Sequence, residues 1–132
     1  MKANELMIGD LLKWKEQPGF NDEDRNMVLC VKNIFDDAIK IDGRFELYHI
    51  SLFEPIPLTQ EILEKNGFKR EGGASYWREG GRDACVIHWS KDKEQLIIGS
   101  PCDDCMVKMN VRYVHELQHA FRLAGIEKEI VL

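Results

Sequence analysis

The segment PIPLTQEILEKNGF (Pro55–Phe68) divides the chain into two parts with different predicted secondary structure. Its residues predict a short helix whose two ends are both marked in the sequence. Thr59 is placed to cap the free N–H groups of the first turn. Gly67 is placed to end the helix in the left-handed conformation, which lets Phe68 fold back onto Leu63. These signals predict a helix that begins after Thr59 and ends before Gly67.

The part before this helix, residues 1–58, is predicted to consist of short strands joined by turns. Apolar residues on both alternating faces of the longest strand indicate that it is covered on both sides. An Asp-Gly pair predicts a hairpin, because glycine tolerates the positive φ of a tight turn. The predicted elements are a bent strand from Leu6 to Trp14, a loop from Gln17 to Asn26, a strand from Met27 to Phe35, and a hairpin of Ala38–Ile41 and Phe45–Ile50 around Asp42-Gly43. We expect an antiparallel sheet or a small β-barrel.

The part after the helix, residues 59–132, is predicted to form a β-meander followed by a second helix. The predicted strands of the meander are Ser75–Arg78, Ala84–Trp89, Leu96–Gly99 and Met106–Met109. The second helix is predicted from about Asn110, its cap, to Ala124, with Gly125 as its end. Glu127–Leu132 would follow as a short tail that could add an edge strand. Together the two parts predict one α+β domain over residues 1–132.

The composition narrows the class of protein. A hydrophobic fraction of 44% and a charged fraction of 31% are those of a globular domain rather than a disordered chain. The net charge is -5, and residues 1–58 hold 7 Lys and Arg against 11 Asp and Glu. An acidic balance argues against nucleic-acid binding, which depends on cations that face phosphate. No stretch is long and apolar enough to span a bilayer and no signal peptide is visible, so we expect a soluble cytoplasmic protein.

The strongest resemblance to a catalytic motif is His115-Glu116-Leu117-Gln118-His119, which matches H-E-x-x-H. On a helix this spacing places two imidazoles on one face to bind zinc, with the glutamate acting on a metal-bound water. Such a site needs a third protein ligand. No suitable residue follows the motif, and nothing in the spacing points to His88 or Asp83. We therefore predict no catalytic residue, with Glu116 as the residue to examine.

A helical wheel argues further against the peptidase. Apolar residues form one continuous stripe along the helix. We expect His115 and His119 to lie on the opposite side, exposed to water, with Arg112 and Arg122 each three residues from one of them. Those guanidinium groups would weaken a dicationic metal site. The stripe consists of Tyr113, Val114, Leu117, Ala120, Phe121 and Ala124.

A second zinc hypothesis uses the same histidines with the pair Cys102 and Cys105. A turn with C-x-x-C between two strands, followed by a helix with paired histidines, is typical of a small zinc finger. Nine residues separate Cys105 from His115, whereas about twelve are usual in such fingers. The alternative is a polar Asp-Asp turn flanked by two thiols, which are expected to be reduced in the cytoplasm. We predict no metal or cofactor, with zinc as the alternative.

Several aromatic residues could also line a ligand site, although aromatic residues in strands more often belong to the core or to a half-buried sheet. They are Trp14, Trp77, Trp89, Tyr48 and Tyr76.

Three segments resemble a family of uncharacterised small proteins from gut anaerobic bacteria and their prophages and mobile elements. They are KANELMIGD (Lys2–Asp10), PIPLTQEILEKNGF (Pro55–Phe68) and VHELQHAFRLAG (Val114–Gly125). The family pattern has no second histidine at the position of His119 and no pair equivalent to Cys102 and Cys105. The resemblance therefore implies that both zinc hypotheses are peculiar to this chain, and it brings no established activity.

These observations favour a non-enzymatic interaction module, with a phage or mobile-element setting implied by the resemblance. Its partner is expected to be another protein, bound through an exposed sheet edge or a groove. The alternative is a zinc-binding protein with a structural site at Cys102, Cys105, His115 and His119, or with a hydrolytic site at the H-E-x-x-H motif. Neither the identity of the partner nor the oligomeric state follows from the sequence.

Overall fold

A computed structural model describes residues 1–72, 74–79, 85–100 and 103–132, and the side chains of these residues except those of 78, 79, 85, 100 and 103–106. The fold is α+β, as predicted. The chain forms two compact units. The first unit comprises Met1–Ile56 with Tyr113–His115, and the second comprises Pro57–Arg112 with Glu116–Leu132. Among the described residues, no helix has the length and apolar character required to cross a membrane.

The first unit contains a five-stranded antiparallel sheet with the strand order β4-β3-β2-β1-β5. Its strands are β1 (Leu11–Trp14), β2 (Val28–Phe35), β3 (Ala38–Ile41), β4 (Leu47–His49) and β5 (Phe53–Pro55). A short helix, α1 (Asp22–Asn26), joins β1 to β2, and 3-10 turns occupy Ala3–Glu5 and Ile50–Leu52. The predicted hairpin between β3 and β4 is confirmed, with Gly43 at a φ of 79° in the turn.

The first sheet is strongly curled. Three strand spacings of about 4.8 Å would hold β1 and β4 about 14 Å apart in a flat sheet. The ring centroids of Trp14 in β1 and Tyr48 in β4 nevertheless lie 5.1 Å apart. The strands must therefore curve toward each other on the side that carries these rings. Within the described residues the sheet stays open, with β4 and β5 at its two edges, so the open sheet rather than the barrel is correct.

Two sequence predictions for this unit were wrong. The predicted loop contains α1, because Asn21 and Asp24 cap its first turn through reciprocal side-chain bonds of 2.8 and 3.2 Å. Strand β2 is not covered on both sides. Val28 and Phe35 are 45% and 48% exposed, which shows that an apolar residue on a strand need not face a second layer.

The second unit contains the predicted meander, extended by one strand that the sequence did not predict. The strand order is β10-β9-β8-β7-β6, and all neighbours are antiparallel. The strands are β6 (Lys69–Glu71), β7 (Ala74–Glu79), β8 (Cys85–Ser90), β9 (Gln95–Ser100) and β10 (Asp103–Asn110). Its helices are α2 (Gln60–Lys65) and α3 (Val114–Leu123), the latter beginning in residues of the first unit.

Helix α2 has both of its predicted ends. The Thr59 hydroxyl accepts a hydrogen bond from the Ile62 N–H at 3.3 Å. At the other end, the Phe68 N–H donates to the Leu63 carbonyl at 3.0 Å, and Gly67 has a φ of 88°. This is the Schellman ending that the sequence predicted.

Helix α3 ends as predicted but begins later. Gly125 has a φ of 72°, and the Ile126 N–H donates to the Phe121 carbonyl at 2.9 Å. Asn110 does not cap the helix, because it is the last residue of β10 and pairs with Gln95 in β9. A ladder contact between strands has therefore replaced a local cap.

The C-terminal tail is docked without forming a strand in the described residues, so the predicted edge strand is absent there. The buried side chain of Asn66, which is 2% exposed, forms the backbone hydrogen bonds that a neighbouring strand would form with the tail. Its side-chain amide donates to the Val131 carbonyl at 2.8 Å and accepts from the Val131 N–H at 2.8 Å. The same amide donates to the Ile62 carbonyl at 2.7 Å. One side chain thus ties the tail to the end of α2.

Candidate functional site

The residues of the H-E-x-x-H motif do not lie as the helical wheel predicted. His115 is buried, with 4% of its surface exposed, whereas His119 is half-buried and Arg112 and Arg122 are exposed. The His115 ring lies parallel to the ring of Tyr113, with their centroids 5.9 Å apart. The prediction that both imidazoles face water was therefore wrong for His115. A wheel allows a helix only one buried face, so it does not account for the burial of His115.

Glu116, the candidate catalytic base, is engaged with the backbone. Its carboxylate accepts a hydrogen bond from the Arg112 N–H at 2.6 Å. An acidic side chain in the first turn that reaches back to a preceding N–H stabilises the start of a helix. This contact gives glutamate a structural role at this position.

Several candidate ligands of the two zinc hypotheses lie outside the described residues. Cys102 is not described, and neither are the side chain of Cys105 and the whole of Asp83. His88 lies in β8, where its ring stacks on Tyr76 at 4.7 Å. The described part of the chain contains no group of three or more His, Cys, Asp and Glu side chains suited to hold a metal ion. Zinc binding stays the untested alternative.

The aromatic residues of the second unit mostly serve packing. Trp89 is 3% exposed, and its indole N–H donates to the Val111 carbonyl at 3.0 Å. Trp77 meets Phe121 edge to face, with ring centroids 5.3 Å apart. Trp89 is therefore a core residue, as aromatic residues in strands usually are.

The aromatic residues of the first unit line a cavity instead. The aromatic pocket, as we call it, has a volume of about 320 Å³, within the range typical of ligand sites. Its lining combines three aromatic side chains with three polar ones and is completed by Leu52. These six residues are Trp14, Phe20, Tyr48, Gln17, Asp24 and Arg44.

Contacts behind the pocket hold its aromatic wall in place. Trp14 stacks on Phe53 at 4.8 Å with an interplanar angle of 20°, because the two residues are partners in the β1–β5 pairing. Tyr48 meets the Trp14 ring edge to face at 77°. Such arrangements suit the ring quadrupoles and add about 0.5–1.5 kcal/mol per pair. The wall is therefore fixed before any ligand binds.

A cation of the chain itself lies over this wall. The Arg44 guanidinium carbon is 5.6 Å from the centroid of the Trp14 ring, within the range of a cation–π contact. Its position follows from the β3–β4 turn, in which the Arg44 N–H donates to the Ile41 carbonyl at 3.1 Å. Arg44 itself is exposed.

Two carboxylates belong to the same region as this cation. Asp24 lines the pocket and is held by the capping bonds of α1. Glu46 accepts a hydrogen bond from the Tyr48 hydroxyl at 2.8 Å. This bond, with help from a backbone hydrogen bond and the charge of Arg44, lowers the pKa of Glu46. Glu46 is therefore ionised at neutral pH, beside an aromatic residue of the pocket.

A second arginine nearby is already engaged. The Arg25 guanidinium bonds to Glu16 at 2.8 Å and lies 3.5 Å from Asp22. The hydrogen bond to Glu16 raises the pKa of Arg25. Arg44 is thus the cation that lines the pocket, and Arg25 is not.

The sequence indicated only part of this pocket. Trp14 and Tyr48 were candidates for a ligand site, and the structure brings them together. Phe20, Asp24 and Arg44 were missed, because residues 17–26 were predicted to be a loop and Arg44 a turn residue. The Asn21-to-Asp24 capping spacing could have indicated α1, but no local signal predicts that the sheet curls.

Comparison with known proteins found no match to a family model, to a curated protein or to a solved structure. The resemblance to small proteins of gut anaerobic bacteria stays a prediction.

Proposed function

We propose that this chain is a non-enzymatic protein-interaction module that binds a partner protein at the aromatic pocket and the neighbouring edge of β4. The observation that supports it best is the position of the pocket beside exposed apolar residues. Phe45 is 96% exposed and Leu47 is 54% exposed. Both flank residues of the pocket in sequence, since Arg44 precedes Phe45 and Tyr48 follows Leu47. Exposed apolar side chains around a preformed pocket suit an interface.

Strand β4 adds a backbone surface to this interface. It is the terminal strand of the sheet, and its described pairing is with β3 through Ala38↔His49, Ile39↔Tyr48 and Lys40↔Leu47. An edge strand can accept an extended segment of another protein as an additional strand. The backbone would then supply affinity and the aromatic pocket would supply selectivity. A cytoplasmic setting linked to phage or mobile elements is part of this proposal and rests on the resemblance described above.

Site-specific photo-crosslinking in cells that naturally produce the protein tests this proposal. A benzophenone amino acid replaces Phe45 in one variant and Leu123, which is 71% exposed in the second unit, in a matched control. We expect one discrete crosslinked protein from position 45, which disappears with the additional change Leu47→Glu, and no such product from position 123. Equal products at both positions, or none at position 45, would contradict the proposal.

A further inference from the structure

The aromatic pocket has the chemistry of a site for a positively charged group. Tryptophan is the best aromatic partner for a cation, and the Trp14 ring already carries the guanidinium of Arg44. Tyr48 and Phe20 extend the aromatic lining, and Asp24 contributes a carboxylate. Aromatic walls with a carboxylate are the features that recognise organic cations in other proteins.

The surrounding charges favour a cation over an anion. In sequence, Arg44 lies between Asp42 and Glu46, and Asp24 lies beside Asp22 and Glu23. Residues 1–58 carry 7 basic and 11 acidic side chains, so the net charge of this part of the chain favours a positively charged ligand. Arg44 is the internal exception, and it occupies the place that an external cation would take.

We infer that the aromatic pocket binds the cationic head of a lysine or arginine side chain of the partner protein, which displaces Arg44 from the Trp14 ring. This inference rests on the proposed function and names the partner chemistry at that site. Displacement costs little, because Arg44 is exposed and, among the described residues, its Nη2 donates to the weak acceptor Sδ of Met27 at 3.6 Å, while its attraction to Glu46 acts across an exposed surface. A volume of about 320 Å³ lies at the lower end of the range of ligand sites, which suits one side chain.

Titration of the full chain with N-acetyl-arginine amide tests this inference, with N-acetyl-citrulline amide as the neutral isostere. The readout is the NMR signal of the Trp14 indole N–H, assigned with Trp14→Phe. We expect the arginine probe to shift this signal and the citrulline probe to bind at least about threefold more weakly, as loss of an exposed cation–π contact implies.

Two variants and a matched control sharpen the test. Arg44→Ala removes the internal competitor, so the arginine probe should bind about two- to fivefold more tightly. Asp24→Asn keeps a side-chain oxygen for the cap of α1 but removes the charge, and it should weaken binding by a similar factor. Asp36→Asn, an exposed acid in the β2–β3 turn, should change nothing.

Three results would each overturn the inference. They are equal binding of the two probes, weaker binding of the arginine probe by Arg44→Ala, and no shift of the Trp14 signal at about tens of millimolar arginine probe. Weaker binding of the arginine probe by Arg44→Ala would show that Arg44 is part of the binding surface and does not compete with the probe. These failures are distinct from failure of the proposed function. A crosslinked partner at position 45 without cation binding would retain the edge of β4 as the interface and remove the pocket's charge selectivity.

Discussion

Replacing Asn66 by alanine tests the long-range contact that holds the C-terminal tail. The side chain makes three hydrogen bonds, one to Ile62 and two to Val131, all between 2.7 and 2.8 Å. A hydrogen bond contributes about 1 kcal/mol net, so three give about 3 kcal/mol. Val131 is exposed, and water can replace part of its bonding. We therefore expect Asn66→Ala to lower the free energy of unfolding by about 2 kcal/mol.

Urea denaturation and amide hydrogen exchange measure this effect. With an m-value of about 2 kcal/mol/M, the midpoint of the transition that includes α2 should fall by about 1 M. The Val131 N–H should also exchange faster in the variant, because its acceptor is Asn66 Oδ1.

Asn26→Ala is the matched control. Its amide makes one local hydrogen bond, to the Asp22 carbonyl at 2.8 Å, on an exposed surface. We expect a change in the urea midpoint of no more than about 0.3 M. A change in the urea midpoint for Asn66→Ala as small as that of the control, with unchanged exchange of the Val131 N–H, would refute the docking of the tail described above.

Three further predictions follow from the described contacts. Glu116→Ala should lower the free energy of unfolding, measured by urea denaturation, by about 1 kcal/mol, because it removes the acceptor for the Arg112 N–H. Glu116→Gln keeps a side-chain oxygen and should lower it less. A hydrolytic activity abolished by Glu116→Gln would contradict the structural role. Because the folded-state pKa of Glu46 is lowered, its bond to Tyr48 stabilises the fold above the ordinary glutamate pKa and is lost as pH falls through the folded value. The stability difference between the native chain and Tyr48→Phe should therefore shrink below about pH 4, and a difference independent of pH from 3 to 7 would contradict it. Elemental analysis of protein purified without a histidine tag should give far less than one zinc per chain. Stoichiometric zinc that is lost in the variant Cys102→Ser would support the zinc finger instead. Zinc that is lost only in the variant His119→Ala would support the hydrolase.

The elements predicted correctly are those encoded by neighbouring residues. The Thr59 cap and the Schellman endings at Gly67 and Gly125 depend on side chains and backbone angles within one or two turns. The Asp42-Gly43 turn is local in the same sense. These features were correctly predicted because no distant contact competes with them.

Apart from the missed helix α1, whose capping signal is local, the main errors come from contacts between residues far apart in sequence. Asn110 has the side chain of a helix cap, but its pairing with Gln95 places it in a strand. His115 lies on the polar side of the wheel and is nevertheless buried. The tail is held by Asn66, 65 residues before Val131. Periodicity and capping rules contain no information about such contacts.

The aromatic pocket depends both on local sequence signals and on contacts between residues far apart in sequence. Trp14 and Tyr48 could be recognised as aromatic residues in predicted strands. Their meeting depends on the curl of the first sheet, and the place of Arg44 over Trp14 depends on that curl and on the turn before it. The pocket could therefore not be predicted before the sheet was known.

An NMR measurement of proton contacts to the Trp14 ring tests the central claim most directly. The account predicts cross-peaks from Trp14 to the Tyr48 ring and to the side-chain CH₂ groups of Arg44, which should also be shifted upfield by the indole. Sharp Trp14 signals without these cross-peaks, and Arg44 shifts typical of a solvated side chain, would contradict both the preformed aromatic wall and its role in recognising a cation.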